Sequence, residues 1–246
     1  GRPGAYGDRA SHFAIQKCDL LLILGSRLSA STIGYYPERL APDAIKIMVD
    51  IDKKELAKQD VPVDVKVCCD VRVFLERVLA VEAPTKGVAK ETWLEFCREN
   101  KQIYPVVQGT YRQENPINSY YFTELLTKQV AEDTNVIVDT GSVCNIVSQT
   151  WEIKKGQNYI ISGGLSCMGF WAAAIGAAAL SDKVIALVGD GSMQMNIQEL
   201  ATLKYYKLPI KIFVYNNNGY MLIRHNQHNY MNDRFLGVGP DSGVQT

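Results

Sequence analysis

Val184-Ile185-Ala186-Leu187-Val188-Gly189-Asp190-Gly191-Ser192 is an apolar run that ends in a Gly-Asp-Gly turn, and the rest of the chain can be read outward from it. Five consecutive apolar residues predict a strand buried on both faces, with a helix opening after the turn. Glycines on both sides of Asp190 let a ligand approach the backbone, and a helix that opens there presents unpaired N–H groups and a positive dipole end to an anion. Alone, the turn fits a phosphate site or a plain structural turn equally well. The next segment shifts that balance. A helix from Met193 to Tyr206, expected to bury Ile197, Leu200 and Ala201, leads through Leu208-Pro209 into a strand from Ile210 to Tyr215, which ends in Asn216-Asn217-Asn218-Gly219. A right-handed β-α-β crossover returns the chain to a parallel strand. Asp190 and the Asn run are therefore expected beyond the carboxyl ends of strands of one sheet, where α/β sheets bind ligands.

An Asp carboxylate, an Asn amide oxygen and a nearby backbone carbonyl are three hard oxygen donors. Magnesium favours such a set, with phosphate oxygens and water completing its octahedron. The site this describes is a diphosphate held through a divalent ion. The plainer alternative is that the Asn run only ends a strand, since Asn and Gly tolerate left-handed backbone.

The same rhythm runs along the chain. Leu20 to Leu24, Ile45 to Ile51 and Val136 to Val138 are further apolar runs of strand length, expected to be buried on both faces. Helical patterns cover Val71 to Val81, Lys90 to Asn100, Tyr120 to Ala131 and Phe170 to Leu180. The class is α/β, with parallel sheets flanked by helices. Pro84, Gly87, Pro105, Gly109 and Pro116 interrupt the pattern and mark a linker over 83–118 that holds one helix around Trp93. The chain divides into 1–82, the linker and 119–246. The first part is short for a doubly wound domain, so its beginning is expected to lie upstream.

Charge narrows the partners. Lys and Arg number 26, as do Asp and Glu, so the net charge is zero and there is no basic excess for nucleic acid or a membrane surface. No apolar stretch approaches the roughly 20 residues of a membrane span. Cys18, Cys68, Cys69, Cys97, Cys144 and Cys167 include no CxxC pair, and they read as reduced thiols of a cytoplasmic protein. A nicotinamide-dependent oxidoreductase would show GxGxxG after a strand, which Gly25-Ser26-Arg27-Leu28 does not supply.

Gly189-Asp190-Gly191, followed 27 positions after Asp190 by Asn217, resembles the thiamine diphosphate motif of the acetolactate synthase and pyruvate decarboxylase family. The resemblance implies a thiamine diphosphate-binding fold in which Asp190, Asn217 and the backbone oxygen of Gly219 ligate Mg2+. Gly189, Gly191 and Ser192 would contact the cofactor there. Ser162 to Phe170 is similar to the family stretch in which a bulky residue wedges under the cofactor and bends it; Met168 would be that wedge, with Ser166 beside it. Gly141 and Ser142 stand where the family often has Gly-Gln-His, so a His contact is missing. Lys17 to Arg27 and Ile47 to Asp52 are similar to the family's central domain, here partial.

By that resemblance the substrate is a 2-oxo acid. The cofactor serves as an electron sink while carbon dioxide leaves, and the product is either protonated or joined to a second carbonyl compound. Non-oxidative decarboxylation is the first alternative and a non-catalytic cofactor-binding or assembly role the second. The family's activating Glu comes from the pyrimidine domain of a neighbouring subunit in a homodimer or homotetramer. None of the motifs here supplies it: Glu124, Glu152 and Glu199 read as solvated or structural charges. These residues alone are expected to hold metal and diphosphate without turnover. Arg224, His225 and His228 follow the metal loop and are candidates for the substrate pocket, whereas His12 reads as surface. Acetolactate synthases place a Trp where this chain has Asn226, which leaves the acceptor open. The central segment carries no clear flavin signature, so flavin adenine dinucleotide is unsupported.

Overall fold

The computed structural model describes residues 2–58, 60–81, 89–163 and 166–244. Pro84 and Gly87 of the expected linker, and Gly164 and Leu165 of the wedge stretch, lie outside them. The chain forms two compact units, Gly1–Val106 and Val107–Thr246.

The first unit runs α1 (Arg9–Lys17), β1 (Leu20–Leu24), α2 (Ala30–Ile33), β2 (Ile45–Asp50), α3 (Lys53–Ala57), β3 (Val65–Cys68), α4 (Val71–Leu79) and α5 (Ala89–Ile103). Local chemistry starts three of these helices. Asp8 accepts the Ser11 N–H at 2.8 Å, Asp52 that of Lys54 at 2.8 Å and Asp70 that of Arg72 at 2.7 Å, each satisfying an amide that the first turn leaves unpaired. The strands lie in the order β1-β2-β3, all parallel, with Leu22 opposite Ile47 and Val49 opposite Val67. Ile23, Met48 and Leu56 form the core of this sheet. Burial of β1 on both faces, expected from its apolar run, is not found: Leu20 and Leu22 are 52% and 42% exposed. Side chains alternate along a strand, and only the Ile23 face lies over the core cluster. The helix expected inside the linker is α5. It packs within this unit against α1, where the Phe13 and Tyr104 rings lie 5.0 Å apart.

The second unit runs α6 (Ser119–Gln129), β4 (Asn135–Val138), α7 (Ser142–Thr150), β5 (Asn158–Ile161), α8 (Ala173–Ala178), β6 (Val184–Gly189), α9 (Asp190–Met193), α10 (Glu199–Tyr206), β7 (Ile210–Tyr215) and α11 (Met221–Tyr230). Its sheet has the order β5-β4-β6-β7, and every pairing is parallel. β6 is buried on both faces, as its sequence predicts. Ile185 and Leu187 join Val136, Val138, Val147 and Trp151 on one side, while Val184, Ala186 and Val188 join Ile137, Trp171 and Ala174 on the other.

Two helices differ from expectation. Met193 to Tyr206 is not continuous: α9 gives way to a 3-10 turn over Gln194–Asn196 before α10 begins. The Asn196 side chain reaches back to the Gly169 carbonyl at 2.8 Å at this tightened turn. Ile197, Leu200 and Ala201 are exposed, and Met193 and Leu203 pack against the core instead. Phe170 to Leu180 likewise divides into a 3-10 turn, Phe170–Ala172, followed by α8. The six cysteines form no disulfide among the described residues, and no helix among them is long and apolar enough to cross a membrane.

Candidate cofactor site

The carboxyl ends of β4, β6 and β7 stand side by side in the second sheet, so the turns after them share one edge. Gly189 pairs with Tyr215 at the last rung of β6 and β7, which brings the Gly-Asp-Gly turn against the Asn run. Asp190 is 7% exposed. Its Oδ2 accepts the N–H of Gly219 at 3.0 Å and that of Asn217 at 3.3 Å. The residues expected as metal ligands, Asp190, Asn217 and Gly219, thus form one cluster.

The Asn run divides its labour. Asn216 Oδ1 accepts the Asn218 N–H at 2.9 Å and closes the turn, while Asn218 takes the left-handed backbone at φ 58°. Among the described residues, Asn217 Oδ1 is buried and has no hydrogen-bond partner. A buried acceptor left so costs about 1–3 kcal/mol. A cation beside the Asp190 carboxylate would satisfy it, and that is the test the magnesium reading has to meet. No group of three His, Cys, Asp or Glu side chains suited to a metal occurs among the described residues. The expected set does not need one, because it combines a single carboxylate with amide and carbonyl oxygens.

Gly191 is buried against Tyr220, and a Cβ there would stand 2.6 Å from the Tyr220 ring. Ser192 is 7% exposed, and its hydroxyl is already engaged: it accepts the Gly169 N–H at 2.8 Å and bonds to the Asp139 carboxylate. The backbone N–H is therefore the part of Ser192 left to meet a ligand. α9 spans only four residues, so the anion site expected at a helix start is a turn of chain amides with little macrodipole.

Gly141 precedes α7 with φ 73°, open space lies where its Cβ would be, and Ser142 is the first residue of the helix. The next residue, Val143, packs toward Gly189, with its Cγ2 3.7 Å from where a Cβ would stand there. Ser166 takes a left-handed φ of 52° and its N–H donates to the Ser162 carbonyl. Met168 is 44% exposed and precedes Gly169, itself left-handed at φ 82°.

The residues after the Asn run are occupied by one another. Arg224 Nη2 reaches the Val238 carbonyl at 3.4 Å, His225 bonds Asn229 at 2.9 Å and His228 pairs with Asp233. His12 bonds the Gly4 carbonyl in the first unit. Glu124 pairs with Arg112 at 2.9 Å, and Glu199 accepts the Thr202 hydroxyl.

Sequence reasoning missed Asp139. This residue is fully buried at the end of β4, where its Oδ1 accepts the Thr140 N–H at 2.6 Å and its Oδ2 the Trp171 N–H at 3.0 Å. Burial pushes its carboxyl above the usual range, opposed by those bonds and by the Ser192 hydroxyl and the Phe170 amide. The one signal in the sequence is an acid closing the apolar run Val136 to Val138.

Residues 139–244 match the family model described as the thiamine pyrophosphate enzyme C-terminal TPP binding domain, and residues 1–78 match the central domain of the same enzymes. Curated relatives agree. Over 98% of its length the chain is 31% identical to the probable acetolactate synthase large subunit of Methanocaldococcus jannaschii. It is 31% identical over 95% to the acetolactate synthase large subunit of Lactococcus lactis subsp. lactis, and 32% identical over 92% to the acetolactate synthase isozyme 1 large subunit of Escherichia coli. It spans 42%, 40% and 40% of those three proteins. With a central domain and a C-terminal cofactor-binding domain of the same enzymes, the chain belongs to the thiamine pyrophosphate (thiamine diphosphate) enzyme family.

Proposed function

We propose that the protein is a thiamine diphosphate- and Mg2+-dependent enzyme that decarboxylates a 2-oxo acid and joins the product to a second carbonyl compound, in the manner of an acetolactate synthase. The observation that carries the reading is the buried, unpartnered Asn217 Oδ1 in the Asp190 cluster. Asp190, Asn217 Oδ1 and the Gly219 carbonyl would hold the metal. Gly189, Gly191 and the Ser192 N–H would line the diphosphate, Gly141 and Ser142 would bound it from the β4 side, and Met168 with Ser166 would support the rings.

When bound, the cofactor supplies an electron sink for loss of carbon dioxide. This chain's residues fix the diphosphate end and restrict how the rings can lie, so that binding energy is spent on orientation. An activating Glu is assigned to a neighbouring subunit, in a cytoplasmic homodimer or homotetramer. Arg224 is assigned to the substrate carboxylate, which requires its guanidinium to leave the Val238 carbonyl. Arg224→Ala in the full-length protein should raise the KM for the 2-oxo acid, and an unchanged KM removes it from the pocket.

The deciding experiment incubates the full-length protein with thiamine diphosphate, Mg2+ and a panel of 2-oxo acids, with and without a second carbonyl compound. Carbon dioxide with a hydroxy-ketone is the expected result. Aldehyde alone would make it a decarboxylase. Tight cofactor binding with no carbon dioxide would favour an assembly role.

A further inference from the structure

We propose that Asp139 is a positioning residue: its buried carboxylate ties the turn that carries Met168 to the turn that carries Asp190, so that the ring-supporting and diphosphate-binding parts of the site keep one spacing. This inference rests on the cofactor reading given above. Four groups from three segments converge on Asp139. The Thr140 N–H belongs to its own strand end, the Trp171 and Phe170 N–H groups come from the 3-10 turn after Met168, and the Ser192 hydroxyl comes from α9. Ser192 Oγ in turn accepts the Gly169 N–H at 2.8 Å, closing a ring of bonds between the two turns.

The two turns depend on that ring unequally. The metal turn has ties of its own, because Asp190 is held by the Asn217 and Gly219 amides. The 169–172 turn has only the Asn196 amide on the Gly169 carbonyl as a further side-chain tie among the described residues. Loss of the Asp139 charge should therefore loosen the support beneath the rings before it disturbs the diphosphate end.

Titration calorimetry of the full-length protein in Mg2+ separates the two, with thiamine diphosphate as one titrant and inorganic pyrophosphate as the other. For Asp139→Asn the affinity for thiamine diphosphate should fall about ten-fold or more, the scale of a lost supporting contact, while pyrophosphate affinity stays unchanged. An equal fall for both titrants, or no change in either, overturns the assignment. If Asp139→Asn does not fold, Asn196→Ala loosens the same turn from its other side and should show the same selective loss; without that selectivity the assignment fails. A wild-type protein that binds neither titrant overturns the cofactor reading itself, and this inference with it.

Discussion

Asn217 carries a cost that its neighbours avoid. Asn216 and Asn218 each satisfy the local turn, whereas Asn217 Oδ1 is buried with no donor to accept from among the described residues. A residue kept for the fold alone would be expected to relieve that penalty, and one kept for a ligand would not. Asn217→Ala should leave the Tm of the cofactor-free protein unchanged or higher, and should remove the rise in Tm that Mg2+ with thiamine diphosphate brings. A lower cofactor-free Tm with the ligand-induced rise intact would mark Asn217 as a purely structural residue. Asp139 shows the reverse economy: its carboxylate is buried but amply bonded, so its burial is spent on holding other segments in place.

At the scale of elements, position in the sheet governs what each strand tolerates. Leu187 is fully buried in β6 between two neighbours, and Leu187→Ala should cost about 2–5 kcal/mol. Val214 lies in the edge strand β7 at 46% exposure, and Val214→Ala should cost roughly 1 kcal/mol or less. Urea midpoints of the two variants compare the positions directly. The joint between α6 and α7 has a pH signature. Tyr120 donates its hydroxyl to Gln149 Oε1 at 3.0 Å, and burial, helped by Tyr111, pushes the phenol above its ordinary 10.0. The folded group therefore keeps its proton to higher pH than the unfolded one. Its contribution is whole below pH 10.0 and is lost as pH rises through the raised value. The alkaline fall in stability should be shallower in Tyr120→Phe, and identical slopes would exclude Tyr120 as a source.

The elements legible in the sequence were those with an unbroken apolar run, whether the run is buried on both faces, as in β6, or on one, as in β1. β6 reads directly because a strand covered on both faces is apolar throughout. β3 and β5 were missed, being edge strands of four residues: Lys66 interrupts the apolar run of β3, and β5 offers only Tyr159 to Ile161 after its opening Asn158. α7 was missed for another reason. Ser142 to Thr150 is rich in β-branched and small polar residues of low helix propensity, and it is burial of Val143, Cys144, Val147 and Ser148 that holds it helical. In the site, Asp190 and Asn217 were readable from their spacing. The bonds that make Asp139 matter come from residues far along the chain, and a lone acid at a strand end does not reveal them.

For the molecule as a whole, the zero net charge shapes how an anionic cofactor can be held. With no basic excess, the proposed site would meet the diphosphate charge with the metal and with backbone amides. Chelation of Mg2+ should abolish thiamine diphosphate binding, whereas raising the salt concentration should weaken it little compared with a site built on lysines. Retained tight binding in excess chelator would sink the metal assignment. The residues proposed for the cofactor all lie in the second unit, while the first supplies the central domain of the same enzymes.

Every pairing in the second sheet is parallel, and that has a kinetic consequence. Parallel neighbours cannot be joined by a tight hairpin; each must wait for a crossover to be laid down, so the contacts that matter span long stretches of chain. Asp190 and Asn217 meet only once β7 has docked on β6. In the site proposed above, a metal would therefore find its ligands together only after β7 has docked on β6, and would act as a lock on that pairing rather than as the nucleus that starts it.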